Sequence, residues 1–167
     1  MKASVHTFMV APAFLCANNH PELVVPGYLL HIKVSSLAEC VYYDYSDRVE
    51  PFGPDEVWID VSGTQRRLGL TPEEIACEIS ERMKAELGTT VSVGVSWSKI
   101  FAKFGSEHKK PDAVTVIDEY NYQYVVWRAQ GRELLYVRTA IERKKHSSGI
   151  CTIGDLLMRR ITTCSTG

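Results

Sequence analysis

Two neighbouring acids, Asp55 and Glu56, stand in VEPFGPDEVWIDVSG, residues 49–63, where a Gly-Pro turn gives way to the apolar run Val57-Trp58-Ile59. Like charges side by side repel, and neither belongs at the edge of a core, so the pair calls for a compensating cation. Neighbours on a strand point to opposite faces. They share a site only at the strand's lip, where the Gly53-Pro54 turn can re-aim one of them. Two carboxylates aimed at one point suit magnesium, a hard ion that prefers oxygen ligands. The plainer alternative is a turn aspartate beside a solvated glutamate. Asp60 has the strand parity of Glu56 but lies roughly 13 Å further along an extended chain, and is assigned to the Ser62-Gly63 turn.

A second group lies in SKIFAKFGSEHKKPD, residues 98–112. Lys99, Lys103, Ser106 and Lys110 follow at steps of four, three and four, hence on one helical stripe, with Ile100, Phe101 and Phe104 on the buried side. A row of ammonium groups over an acidic pair is what a metal-bridged triphosphate needs; a solvated basic face is the alternative. Third, RELLYVRTAIERKKHSSGICTIGDLL, residues 132–157, intersperses Arg138, Arg143, Lys144 and Lys145 among short helical pieces around a Gly turn. Helix-start amides with basic side chains grip a phosphate backbone without reading its bases, although an ordinary helical hairpin has the same look.

The elements that must position these groups follow from periodicity. Leu30, Val34, Leu37, Val41 and Tyr45 predict an amphipathic helix over 29–46, and EVWIDV predicts a buried strand over 56–61. Thr71, Pro72 and Glu74 make an N-cap, a first-turn proline and an acid at the third position, and Ile75, Ile79, Met83 and Leu87 carry that helix to Gly88. A strand over 91–97, a helix from its Ser98 cap through Lys110 to the Pro111 stop, and a strand over 113–117 complete the series. Helices alternating with strands in this order predict an α+β fold with helices packed on a sheet. Beyond Asp118 short helical pieces near 121–127, 131–136, 138–147 and 152–160 predict a small helical subdomain. The domain reading is an irregular segment 1–20, a sheet domain 21–118 and a helical part 119–167.

The bulk numbers set the class. A chain of 167 residues, 45% hydrophobic and 23% charged, is a soluble globular protein rather than a disordered one. Its net charge of −1 conceals about −6 before Ser98 and +5 from it onward, which suits a metal site beside a polyanion-binding surface, or two ordinary solvated surfaces. Five cysteines, Cys16, Cys40, Cys77, Cys151 and Cys164, are odd in number and lack C-x-x-C spacing, so neither a disulfide framework nor a zinc site is expected. Reduced thiols in the cytoplasm are the expectation. His6 and Pro12 interrupt the mildly apolar start, and no membrane-length run follows, so neither a signal peptide nor a membrane span is read.

Taken together and in order, these stretches resemble the Y-family DNA polymerases, the translesion enzymes with UmuC-type domains. PDEVWIDVSG is similar to the family's palm motif, VSVGVSWSKIFAKFGSEHKKPDAVTVI to its second palm block, and LLYV with GICTIGDL to its thumb. The resemblance implies a partial ferredoxin-like palm followed by a partial helix-hairpin-helix thumb. It implies two-metal nucleotidyl transfer with Mg2+, Asp55 and Glu56 being catalytic metal ligands, and Lys110, with Lys103 on the same stripe, contacting the nucleotide. Arg143, Lys144, Gly149 and Gly154 would hold DNA. The implied partners are a DNA primer-template, a deoxynucleoside triphosphate and, only through a C-terminal region missing here, a sliding clamp.

The departures from the family pattern set further expectations. Nothing before Pro21 resembles the first strand's Asp-x-x-x-Phe-Phe-Ala motif, which supplies the third carboxylate; the earliest acid is Glu22. The fingers and little finger also have no counterpart, Arg138 replaces the first hairpin glycine, and Ser98 stands where Asn is common. The expectation is a polymerase remnant, truncated at both ends, with a missing central strand and no polymerisation of its own. The rival readings are a non-catalytic DNA- or partner-binding module and an unrelated ferredoxin-like nucleotidyl cyclase, the latter opposed by the KKPD and TIGDL blocks.

Overall fold

The computed structural model describes residues 7–13, 28–53, 55–130, 133 and 152–155, with the side chains of 7–13, 28, 30 and 31 left aside. The chain divides into two compact units, Met1–Val116 and Ile117–Gly167. In the first, β1 (Thr7–Ala13), α1 (Tyr28–Tyr43), β2 (Val49–Pro51), β3 (Val57–Asp60), α2 (Thr64–Leu68), α3 (Pro72–Leu87), β4 (Thr90–Ser96), α4 (Lys99–His108) and β5 (Val114–Ile117) build a sheet of order β2-β3-β1-β4-β5 and its helices.

The centre of that sheet corrects the reading of residues 1–20 as irregular. Strand β1 pairs antiparallel with β3 from Thr7↔Asp60 to Val10↔Val57, and with β4 from Thr7↔Ser96 to Ala13↔Thr90. The central strand expected to be missing is therefore in place. Its run TFMVAPA is too short and too broken by alanine and proline to announce a strand locally; its pairing comes from two neighbours distant in sequence. Pro12 lies past the last β1–β3 pair, where the strand has lost one neighbour and a missing N–H is tolerated as at an edge. Residues 14–27 alone separate β1 from α1 in sequence. The three-residue β2, also unanticipated, is a β-hairpin arm on β3, and its Pro51 again sits on an edge strand.

One face of the sheet carries the core. Val57, Ile59 and Val61 around β3 and Val91, Val93 and Val95 of β4 pack against Ala38, Val41 and Tyr42 of α1, Tyr45 just beyond it, and Ile75, Ala76, Ile79 and Met83 of α3. Full burial of each large aliphatic side chain contributes about 1.5–3 kcal/mol. Helix α3 follows its local rules: the Glu74 N–H donates to Thr71 Oγ1 at 3.2 Å, the Thr71 N–H donates to Glu74 Oε2 at 2.7 Å, and Gly88 closes the helix in the left-handed region at φ 63°. Helix α1 is phased differently from the expected stripe. Residues 38, 41, 42 and 45 face inward, while Leu37, one residue from that line, is 46% exposed.

The other face receives α4. A Cβ at Gly94 would overlap the Ala102 carbonyl oxygen and the Ser106 amide nitrogen, so only glycine lets the helix backbone lie on the strand. Small residues must therefore point inward: Ala102, Gly105 and Ser106 are buried with Phe104. Ser106, expected on the lysine stripe, is fully buried and its hydroxyl donates to the Lys103 carbonyl at 2.9 Å; Ile100, expected inside, is 41% exposed. The helix ends at His108, and Ser98 caps it through its carbonyl, which accepts from Ala102 N–H at 2.9 Å, not through its side chain.

In the second unit, Asp118 Oδ1 accepts the N–H groups of Tyr120 and Asn121, both at 2.8 Å, ahead of the short α5 (Tyr122–Val126). Thr152 and Asp155 form a second reciprocal cap, with bonds of 2.8 and 3.1 Å, and Gln130 bridges to Thr152. No described helix is long and apolar enough to cross a membrane.

Candidate active site

Strand β3 begins at Val57, so Asp55 and Glu56 sit at its lip, as the Gly-Pro turn demands; Gly53 takes φ 88° there. Glu56 has the parity of Trp58 and reaches α4, where Lys103 Nζ donates to its Oε1. Asp55 has the parity of Val57, and both acids line a narrow cleft with Ser35, Ala38, Glu39 and Tyr42 of α1, in which the Tyr42 hydroxyl is buried without a partner among the described residues. Burial first, and the nearby Glu39 charge second, push the Tyr42 phenol far above its usual range.

The lysine stripe of α4 is compensated from within the molecule. Lys103 Nζ donates also to Glu107 Oε1 at 2.8 Å, and Lys110 Nζ donates to the same oxygen at 2.7 Å. Glu56, Lys103, Glu107 and Lys110 thus form a chain of alternating charge along the helix. Burial alone would lower the Lys103 ammonium, yet bonds from Glu107 and Glu56 outweigh it and hold Lys103 above the usual lysine range. Burial would raise Glu107, and the bonds from Lys103 and Lys110 overcome that and hold it below the usual carboxylate range. One turn earlier, Lys99 pairs with Glu50 of β2 and lies 5.8 Å from the Trp58 ring centroid.

Glu107 and Glu50 escaped the sequence reading. Glu107 was legible, being four residues after Lys103 and three before Lys110. Glu50 was not, because it meets Lys99 only through the β2–β3 register that pairs it with Trp58. Asp60 lies as expected in its turn: the Ser62 N–H donates to Oδ1 at 2.9 Å, and Arg48 adds an ion pair of 3.1 Å. Against burial, those bonds hold its carboxyl below the usual range.

Do these residues fit a two-metal centre? Asp55 has no partner among the described residues, but Glu56 is engaged by Lys103. The β1 residues just past the last β3 pair are Ala11 and Pro12, neither of which carries a side-chain oxygen. Among the described residues no three His, Cys, Asp or Glu side chains gather as metal ligands. The described donor set does not fit two magnesium ions.

The expected DNA contacts Arg143, Lys144 and Gly149 lie outside the described residues, as does Arg138. Gly154 is described: its N–H donates to the Trp127 carbonyl at 3.0 Å, and a Cβ there would stand 3.2 Å from that oxygen. Its amide serves the fold of the second unit.

Comparison with known proteins converges on one family. The model of the impB/mucB/samB family matches residues 5–107. A DNA polymerase IV of Acetivibrio thermocellus is 48% identical over 141 residues, covering 83% of this chain and 35% of the relative. One from Clostridium perfringens is 36% identical over 158 residues, covering 93% and 43%. The chain therefore spans well under half the length of these relatives. Among solved structures, a DinB family error-prone DNA polymerase from Sulfolobus solfataricus superposes with TM-score 0.72 at 18% identity, over 92% of this chain and 59% of that one. An insertion ternary complex of Dbh DNA polymerase gives TM-score 0.68 at 23% identity, over 78% and 38%. The mixed sheet-and-helix fold is that of Y-family polymerase domains, and the chain belongs to the impB/mucB/samB family of DNA polymerase IV-type, Y-family proteins.

Proposed function

We propose that the sheet domain, through residue 118, is the palm of a translesion DNA polymerase and that residues 119–167 begin its thumb. Asp55 and Glu56 are its catalytic carboxylates, and Lys110 and Lys103 its contacts to the nucleotide triphosphate. Lys110 donates one bond to Glu107, which leaves its remaining ammonium hydrogens for a phosphate oxygen. Lys103 must exchange Glu56 or Glu107 for phosphate, which makes it the weaker anion contact. Arg143, Lys144 and Gly149 grip the DNA backbone of a primer-template, and the protein acts in the cytoplasm.

One observation carries the reading of activity: β1 fills the central place in the sheet beside the acidic pair and supplies no carboxylate. We therefore expect no template-directed nucleotide addition by this chain in a primer-extension assay with magnesium. Addition that disappears in Asp55→Ala would overturn this. A second reading, a non-catalytic DNA-binding module, draws on the basic half of the chain. It expects salt-dependent DNA binding that Asp55→Ala leaves unchanged.

A further inference from the structure

The cleft between α1 and the lip of β3 holds more acid than its surroundings neutralise. Glu39, Asp55 and Glu56 all line it. Lys103 answers Glu56, whereas Glu39 and Asp55, both half-buried, have neither an ion pair nor a hydrogen bond among the described residues. Carboxylates brought together without a countercharge repel, and partial burial sharpens the cost. The cleft has a second unbalanced group. Tyr42 is 2% exposed and lines the same space, and its hydroxyl has no partner among the described residues. A buried hydroxyl that the protein does not satisfy is one that a small ligand can.

Size and chemistry select that ligand. The free volume of the cleft is about 10 Å³, room for one body no larger than a water molecule. Two metal ions held about 3.5–4 Å apart do not fit in it. Two carboxylates and a phenol offer only oxygen, the donor atom of hard cations. Burial first, and the Glu39 charge second, keep the proton on the Tyr42 phenol, so it presents a neutral oxygen with lone pairs to spare. A water molecule would satisfy the phenol and leave both charges standing. A divalent cation answers all three groups at once.

We infer that Glu39, Asp55 and the Tyr42 hydroxyl form a site for a single hard divalent cation that fastens helix α1 to the start of β3. Glu39 and Tyr42 stand three residues apart and so share a helix face, and Asp55 comes to them from the Gly-Pro turn. The site differs from a two-metal centre in its ion count, in drawing a carboxylate and a phenol from α1, and in its role, which is structural. It stands whether or not the chain polymerises. With two carboxylates it is weak, its dissociation constant about 10⁻⁴–10⁻³ M.

Mn2+ serves as the probe, its binding counted by electron paramagnetic resonance of the free ion and its effect read in thermal unfolding of this chain. One ion per chain is expected, with an unfolding midpoint raised by about 2–6 °C at roughly ten times the dissociation constant. Glu39→Gln and Asp55→Asn each weaken binding about tenfold or more, because each removes half of the site's charge. Tyr42→Phe weakens it about threefold, and its midpoint without metal is equal to or above that of the wild type, since the bare hydroxyl is gone. It keeps the ring in the core and serves if an acid variant misfolds. Glu50→Gln, which removes a carboxylate outside the cleft, changes nothing in binding. The inference is overturned if no ion binds at millimolar Mn2+, or if two ions bind per chain. Binding that Glu39→Gln or Tyr42→Phe leaves at the wild-type strength overturns it as well.

Discussion

The two faces of the sheet are built by different means. Under α1 and α3 the strands present Val57, Ile59, Val91, Val93 and Val95 to a continuous apolar core. Under α4 the same strand β4 presents Ser92, Gly94 and Ser96, and the hydroxyls of both serines are buried without partners among the described residues. There α4 is held by close backbone approach, by the buried Ala102 and Phe104, and by ion pairs from Lys99 and Lys103 to the β2–β3 hairpin. Apolar burial supplies stability on one face; on the other, unsatisfied polar groups and charge are kept at a cost. That division is what a site for charged substrates requires, and it places Glu56 on the face where the sheet is least optimised for folding.

Substitutions on the two faces test this contrast. The largest effect belongs to the apolar side: Ile79→Ala, at a fully buried position, destabilises by about 2–5 kcal/mol in urea unfolding. On the α4 side, Gly94→Ala forces the helix off the strand and costs about 1–3 kcal/mol, detectable also as a loss of the Trp58 and Trp97 fluorescence environment. A Gly94→Ala protein as stable as wild type would show that α4 does not rest on this glycine.

Lys103→Met leaves Glu56 and Glu107 without their shared cation and costs about 1–3 kcal/mol at neutral pH. The pH dependence has a definite sign. Glu107 is depressed in the fold, so its contribution is present above the ordinary value of 4.5 and is lost as pH falls through the lower folded value. Lys103 is raised, so its contribution is intact below 10.5 and is lost only as pH rises past the higher folded value. The stability gap between wild type and Lys103→Met therefore narrows below pH 4.5; a gap constant to pH 3 would place the role of Lys103 in packing alone. Smallest is Lys99→Met, which removes an exposed pair and costs about 0.2–1 kcal/mol, screened by salt.

What the sequence revealed follows the same division. Helix α3 was legible to its ends because its cap, its stripe and its terminal glycine are local signals. The strand β3, the lip position of the acids and the turn role of Asp60 were legible for the same reason. Strand β1 was not, since TFMVAPA becomes a strand only by joining β3 and β4. The inward turn of Ser106 and the outward turn of Ile100 depended on Gly94, a residue on another element. The lysine stripe was seen but its compensation was not, because Glu50 reaches Lys99 only through the hairpin register.

The central claim is that Asp55 and Glu56 stand beside a central strand that brings them no third acid. Titration of this chain with Mn2+, followed by the loss of the free-ion electron paramagnetic resonance signal, tests it most directly. The account predicts no stoichiometric binding of two ions, and a weak response at most that Asp55→Ala removes. Saturable binding of two ions per chain, abolished by Asp55→Ala, would contradict it.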